Sequence, residues 1–341
     1  MLYNRTIDQC LCVTVSDYIA FNWFPNGTCQ LFRTFPVTYK LQRTPNTSLY
    51  FTQGIFPNES QCCMSNLTEL LDKLQRGHQM NVNTTEAPRN LIIDGDGFLV
   101  TVLPYSGTLV RYHRNNLSLI NRMNVAGSAT MAVAYWSGRY YIGHKRGRIT
   151  VINRNGLSTE IIVNRMQSTS EIRSIMFLDH GQIMACSSNS NNAVVFFNQT
   201  FVPSFNLSFA YSLQTNYPGT HGLTHINDSF FYSTSYNKTL IYSHTAIPNN
   251  STWQERFVLN GSHSRSGIGG TFVAINDCGR LWYSIESSVV KIFGSDGTWL
   301  ANFSIPFATI IDTLITDNYV MFFSDRNSSG QIIRIDPHIE C

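Results

Sequence analysis

From residue 86 to the C-terminus one layout recurs six times, and that recurrence leaves the chain very few folds to choose from. Each copy has an apolar strand, a turn, an aromatic-rich strand, a short polar loop and a third strand, usually followed by a fourth. The copies open with RNLIIDGDGFLVTV at Arg89, TMAVAYWSGRYYIG at Thr130, RSIMFLDHGQIMAC at Arg173, HGLTHINDSFFYST at His221, TFVAINDCGRLWYS at Thr271 and DTLITDNYVMFFSD at Asp312. Successive starts lie 41, 43, 48, 50 and 41 residues apart, the length of one four-stranded blade. Third strands follow at Thr108, Arg148, Ala193, Thr239, Val289 and Gln331, and fourth strands at Leu117, Thr159, Phe205, Glu255 and Leu300. The predicted fold is all-β, a six-bladed β-propeller over residues 86–341. The sixth copy stops after its third strand, which would leave an unpaired sheet edge. Residues 78–85 serve either as a linker or, through QMNVNTT, as the strand that closes the last blade.

Residues 1–77 form a separate cysteine-rich segment with Cys10, Cys12, Cys29, Cys62 and Cys63. Within it, CLCVTVSDYIAFNWFPNGTCQLF is predicted as two strands about a Pro-Asn-Gly turn. One short helix is predicted over NLTELLDKLQ, where Leu67, Leu70, Leu71 and Leu74 recur at helical spacing. Asn66 caps it, with Glu69 three residues on, and Gly77 ends it.

Composition bears on compartment and partner. Charged residues make up 13% of the chain and the net charge is +3, with no dense basic block, which argues against a nucleic-acid partner. No apolar run is long enough to span a membrane. Sixteen Asn-x-Ser/Thr sequons, among them Asn26, Asn66, Asn116, Asn206, Asn237, Asn260 and Asn327, exceed the chance number and predict a secreted glycoprotein. MLYNRTIDQC is not a signal peptide, so the expected start lies upstream of Met1.

The blades THGLTHINDSFFYSTSYNKTLIYSH and GGTFVAINDCGRLWYSIESSVVKIFGSDGTWLANFSIP resemble consecutive blades of the gluconolactonase/luciferin-regenerating (senescence-marker) family, and NHL-repeat proteins share the cadence. CLC…NWFPNGTCQLF with Cys62-Cys63 resembles a reduced PAN/apple module. The whole arrangement is similar to secreted invertebrate propeller proteins without assigned chemistry. The lactonase resemblance implies a divalent cation in the channel, held by a Glu, an Asn and an Asp. Glu86 fits the first place; His221 stands where the Asn belongs and Gly269-Gly270 where the Asp belongs. Glu86 is thus either one remnant ligand or a linker carboxylate. The expectation is no cofactor, with one Ca²⁺ in the channel as the alternative.

The repeats themselves suggest a site. Inner strands of a propeller line a central channel, and the residues that begin them ring one mouth. Arg89, Thr130, Arg173, His221, Thr271 and Asp312 are placed there, with Glu171 nearby and Tyr105, His144, Lys145, Asn191, Tyr236 and Arg326 on surrounding loops. Arg89, Arg173, His221, Asp312 and Glu171 are the candidate ligand-binding set for an anionic or sugar-like molecule. The competing reading is that these charges cap strand ends and pair with one another. No catalytic motif is present. The predicted function is a secreted binding or interaction module for an extracellular ligand, protein or glycan, with a divergent propeller-type hydrolase or lactonase as the alternative. The cysteines 10, 12, 29, 62 and 63 are expected in disulfides. Cys278, in the turn of the fifth copy, is expected to pair with Cys341, against the alternative that Cys341 reaches Cys62 or Cys63. Cys186 is left as a buried thiol.

Overall fold

The computed structural model describes residues 20–24, 28–32, 48–51, 62–125, 129–153, 158–162, 171–178, 181–188, 192–200, 206–217, 219–235, 240–247, 252–260, 272–316, 318–327 and 330–340. The chain divides into two compact units, Met1–Ser65 with Glu340–Cys341, and Asn66–Ile339. In the first, β1 (Ala20–Trp23) pairs antiparallel with both β2 (Cys29–Phe32) and β3 (Ser48–Phe51).

The second unit starts with α1, Leu67–Arg76. Asn66 caps it, its side chain accepting from the Glu69 amide at 3.3 Å. Glu69 does not return the bond as a full capping box would; it pairs with Lys73 at 3.2 Å. Leu70 and Leu74 are the buried stripe. The helix therefore clusters with the propeller, and the unit boundary falls after Ser65 rather than after residue 77.

Six four-stranded antiparallel sheets follow. Blade 1 is β5 (Arg89–Ile93), β6 (Leu99–Leu103), β7 (Thr108–Tyr112) and β8 (Leu119–Asn124). Blade 2 is β9 (Thr130–Trp136), β10 (Arg139–His144), β11 (Arg148–Asn153) and β12 (Ser158–Ile162). Blade 3 is β13 (Ile172–Leu178), β14 (Ile183–Ser188), β15 (Ala193–Thr200) and β16 (Asn206–Gln214). Blade 4 is β17 (Thr220–Asn227), β18 (Phe230–Ser235), β19 (Leu240–Ala246) and β20 (Trp253–Asn260). Blade 5 is β21 (Val273–Ile275), β22 (Leu281–Ser284), β23 (Val289–Phe293) and β24 (Trp299–Ser304). Blade 6 is β25 (Ile310–Ile315), β26 (Met321–Asp325), β27 (Gln331–Asp336) and, as its outer strand, β4 (His78–Asn83).

The pairing of β4 with β27 runs from Asn83 opposite Gln331 to His78 opposite Asp336. The outermost strand of the last blade thus comes from ahead of the first, so the circle is held by backbone hydrogen bonds. The seam is tightened by Gly330, whose φ of +77° suits glycine and whose added Cβ would meet the Glu86 carbonyl oxygen at 2.3 Å. Its own carbonyl accepts from the Thr84 amide at 3.0 Å.

Core packing lies between blades. Val100, Val102 and Leu109 of blade 1 pack with Val133, Tyr140, Ile142 and Ile152 of blade 2. Similar clusters join blades 2 and 3, 3 and 4, 4 and 5, and 6 and 1. Between blades 5 and 6, Phe303 stands between Trp282 and Phe323, with centroids at 6.3 and 6.0 Å. A central strand covered on both faces needs no polar face, so β6 and β26 are buried throughout. Outer strands β4 and β8 keep one solvent-facing row and alternate.

Candidate functional site

The inner strands β5, β9, β13, β17, β21 and β25 face a central channel with two unlike ends. At the upper mouth the inner strands begin. At the lower mouth they turn back into the second strands.

The lower half of the channel holds a cavity of about 630 Å³, lined by all six inner strands. Its wall is mostly aliphatic and aromatic, with Ile92, Val133, Tyr135, Phe177, Ala274 and Leu314 as examples, and Trp136 stands at its rim. Trp136 can lie there because Gly181 has no side chain: a Cβ would sit 1.8 Å from the indole nitrogen, and the φ of +83° is itself a glycine conformation. Most hydroxyls on this wall are spent on neighbouring blades. The Thr224 hydroxyl donates to the Val273 carbonyl at 2.6 Å, the Ser174 hydroxyl to the Leu223 carbonyl at 3.4 Å, and Thr313 shares a bond of 2.7 Å with Ser284. Asn90 is 7% exposed, and with its side-chain amide turned to the orientation that satisfies both ends, the nitrogen donates to the carbonyls of Met131 and Arg173, each at 3.3 Å. What remains, besides His225, Asn227 and Asp228 toward the lower end, is a buried carboxyl group. Asp312 lines the cavity and is 5% exposed. Its two oxygens accept from the amides of Leu91 at 2.7 Å and Thr313 at 2.8 Å. Among the described residues no cation pairs with it, and burial pushes the pKa of its carboxyl up to about 7 against those two bonds.

The upper mouth is charged. Glu171 forms ion pairs with Arg173 and with Lys145, the latter at 3.3 Å, and Arg326 pairs with Glu286 at 3.4 Å. Arg89 stands among them half-buried; burial first, then repulsion from Arg173 and Arg326, lowers its basicity, with Glu286 and Tyr105 opposing. The Nε atoms of Arg89 and Arg173 are buried without a hydrogen-bond partner. Tyr105 is exposed.

The ring expected from aligned strand starts does not lie at one level. Four inner strands carry a register irregularity within themselves and β9 has one against β10. Arg89 and Thr130 pair ahead of it, Arg173 and His221 fall inside it, and Asp312 follows it. A bulge re-aims the side chains on either side. Hence Asp312 reaches the cavity, which Arg89, Arg173, His221 and Glu171 do not line. His221 is 2% exposed and edge-on to Phe272 at 5.3 Å. Thr271, Asn191, Tyr236 and Gly269-Gly270 lie outside the described residues. The Glu86 carboxylate accepts from the amides of Tyr105 at 2.5 Å and Ser106 at 2.7 Å, so it fastens the loop between β6 and β7.

A serine–histidine pair that the sequence reading missed joins β18 to β19. Ser233 Oγ lies 2.7 Å from His244 Nε2 and also bonds Tyr217. Both are fully buried, His244 Nδ1 has no partner, and burial lowers the imidazole to about 3. A nucleophile pair needs access and an orienting third group; this one ties strands together inside blade 4.

Cys29, Cys62, Cys63 and Cys278 are disulfide-bonded, and Cys186 is a free, fully buried thiol whose ionisation burial disfavours. Cys10, Cys12 and Cys341 lie outside the described residues, and with them the expected Cys278–Cys341 pairing. Of the named sequons, Asn66, Asn116, Asn206 and Asn327 are exposed; Asn26 and Asn237 lie outside the described residues, as does the side chain of Asn260. No helix among the described residues is long and apolar enough to cross a membrane.

No family model matches this sequence, and no curated protein matches it. Solved structures do. A luciferin-regenerating enzyme superposes with a TM-score of 0.60 at 10% identity, over 76% of this chain and 95% of that one. The β-propeller domain of Cps50 (Swd1) from Myceliophteria thermophila does so with a TM-score of 0.55 at 8% identity, over 75% and 99%. At such identities the likeness shows the propeller fold alone.

Proposed function

We propose that this chain is a secreted, glycosylated binding module that takes a small apolar ligand into the lower half of its propeller channel. The observation that carries the reading is the cavity of about 630 Å³ with its largely aliphatic and aromatic wall. That size is within the range of small-molecule sites, and a wall whose hydroxyls are already bonded rewards apolar surface. Exposed sequons at Asn66, Asn116, Asn206 and Asn327 support the secreted, glycosylated half of the proposal. In the charged upper mouth Glu171 and Glu286 are engaged with Arg173, Lys145 and Arg326, which favours the lower cavity as the site for a ligand.

The reading needs no metal. A stoichiometric calcium ion in purified protein would favour the divergent hydrolase instead. Titration with the neutral apolar fluorophore N-phenylnaphthylamine tests the binding proposal. Saturable enhancement is expected in the wild type and is lost in Ala274→Trp, because Ala274 is on the wall and an indole there fills the space. Absence of saturable binding, or binding unchanged by that substitution, overturns it. Secretion from eukaryotic cells is expected to give a protein that loses several glycans' mass on N-glycosidase treatment; an unchanged mass overturns the glycoprotein half.

A further inference from the structure

We propose that the ligand of the channel is a hydrophobic amine: an apolar body held by the cavity wall and a protonated nitrogen held by the Asp312 carboxylate. The inference rests on the binding reading above and names the chemical class that this cavity selects.

The polar groups on the wall differ in what they have left to offer a ligand. Thr224, Ser174 and Thr313 have hydrogen-bond partners on neighbouring blades, and Asn90, in the amide orientation that satisfies it, donates to two carbonyls. His225 and Asp228 face each other at 3.6 Å near the lower rim, where both are exposed. Asp312 differs from all of these. A carboxylate offers about four acceptor positions on two oxygens, and the amides of Leu91 and Thr313 occupy one on each. The remaining positions belong to a group that is 95% buried by its 5% exposure and lines the cavity. A buried carboxylate is costly without an opposite charge, and the salt bridges among the described residues give it none. A ligand bearing an ammonium would supply that charge and donate the missing hydrogen bonds. A neutral alcohol would supply a bond but no charge. A carboxylic acid, ionised, would add a second negative charge beside the first.

The rest of the wall fits the other half of such a molecule. Leu91, Ile175, Phe272 and Leu314 line the same cavity, and none of them competes for the ammonium. Aromatic faces nearer the lower mouth, at Tyr135, Trp136 and Phe177, give an apolar body flat surfaces to lie against.

The experiment displaces bound N-phenylnaphthylamine from the intact chain with three matched compounds at mildly alkaline pH: naphthylmethylamine, naphthylmethanol and naphthoic acid. A charge-assisted bond in a dry site leads us to expect the amine to displace the dye at roughly ten- to hundredfold lower concentration than the alcohol, with the acid weakest. In Asp312→Asn, checked for folding by circular dichroism, amine and alcohol are expected to become equal. If that variant does not fold, the wild-type series still decides. Equal displacement by amine and alcohol in the wild type overturns the amine assignment while leaving the apolar site standing. A preference for the amine that survives Asp312→Asn also overturns it, by placing the ammonium elsewhere. Failure of the dye itself to bind removes the site and the assignment together.

Discussion

Two buried aspartates, Asp94 in the first hairpin turn of blade 1 and Asp312 on the inner strand of blade 6, are 6% and 5% exposed, and the protein treats them in opposite ways. Asp94 is surrounded. One oxygen accepts from the amides of Asp96 and Phe98, each at 3.0 Å. The other accepts from Arg111 Nε at 2.9 Å and from the Tyr140 hydroxyl at 2.7 Å, with a second guanidinium nitrogen at 2.8 Å. Arg111 is itself fixed over the Phe98 ring at 4.7 Å. Because Tyr140 belongs to β10, this carboxylate joins blade 1 to blade 2. Asp312 also joins two blades, through the Leu91 amide of blade 1, yet it has no cation beside it among the described residues. A buried charge that serves the fold is given its counter-charge within the fold. One left without it, on the wall of a cavity, is the group that the proposed amine would pair with.

The largest expected effect comes from breaking the first of these. Asp94→Ala strands a mostly buried guanidinium, the Tyr140 hydroxyl and two amides at once. Removing one partner of such a pair costs about 3–5 kcal/mol. Urea denaturation followed by tryptophan fluorescence measures it, and a loss below about 1 kcal/mol would mean that Arg111 finds water or another carboxylate without penalty. The exposed Asp96, 3.0 Å from the same guanidinium, is the group placed to soften the loss.

The contrast also shows how much was legible beforehand. The third strands begin at Thr108, Arg148, Ala193, Val289 and Gln331 as the repeat predicts, and Thr239 is off by one from Leu240. Apolar runs bounded by turn residues carry that signal because blade strands are short, local and buried on both faces. The helix cap at Asn66 was equally local. The site was less legible. Asp312 was singled out, but by its place in an alignment of strand starts, which set it in the charged mouth beside Arg89 and Arg173. An alignment counts residues evenly, whereas a bulge inserts one, and the irregularity between Ile310 and Asp312 comes just before the carboxylate. The cavity had no sequence signature at all. Ile92, Val133 and Leu314 look the same in a sequence whether they fill a core or line a hollow; only the spacing of six strands around an axis decides between the two. The pair Ser233 and His244 was hidden for a related reason, since it depends on cross-strand register between β18 and β19.

A smaller effect, with a distinctive pH signature, is expected from Asp312→Asn. Asparagine keeps the shape and one acceptor, but turns its amide nitrogen toward a backbone N–H that the carboxylate had satisfied. One unsatisfied buried amide costs about 1–3 kcal/mol, and no buried cation is stranded. The wild type carries a further dependence. Burial raises the folded pKa of Asp312 from 3.8 to about 7, so between those values the native state holds a proton that the unfolded chain has released. Stability from this group is therefore fully present below about pH 4, falls as pH rises through the window up to about 7, and levels off above it. The sign is opposite to that of an ion-paired carboxylate, whose stabilisation disappears on acidification. Asparagine does not titrate, so the difference between wild type and variant is expected to be greatest at the acid end and to shrink toward alkaline pH. Urea midpoints for both proteins across that window measure it. A gap that stays constant with pH would mean that water or a cation reaches Asp312 in the free protein, and the two aspartates would then differ less than their surroundings imply.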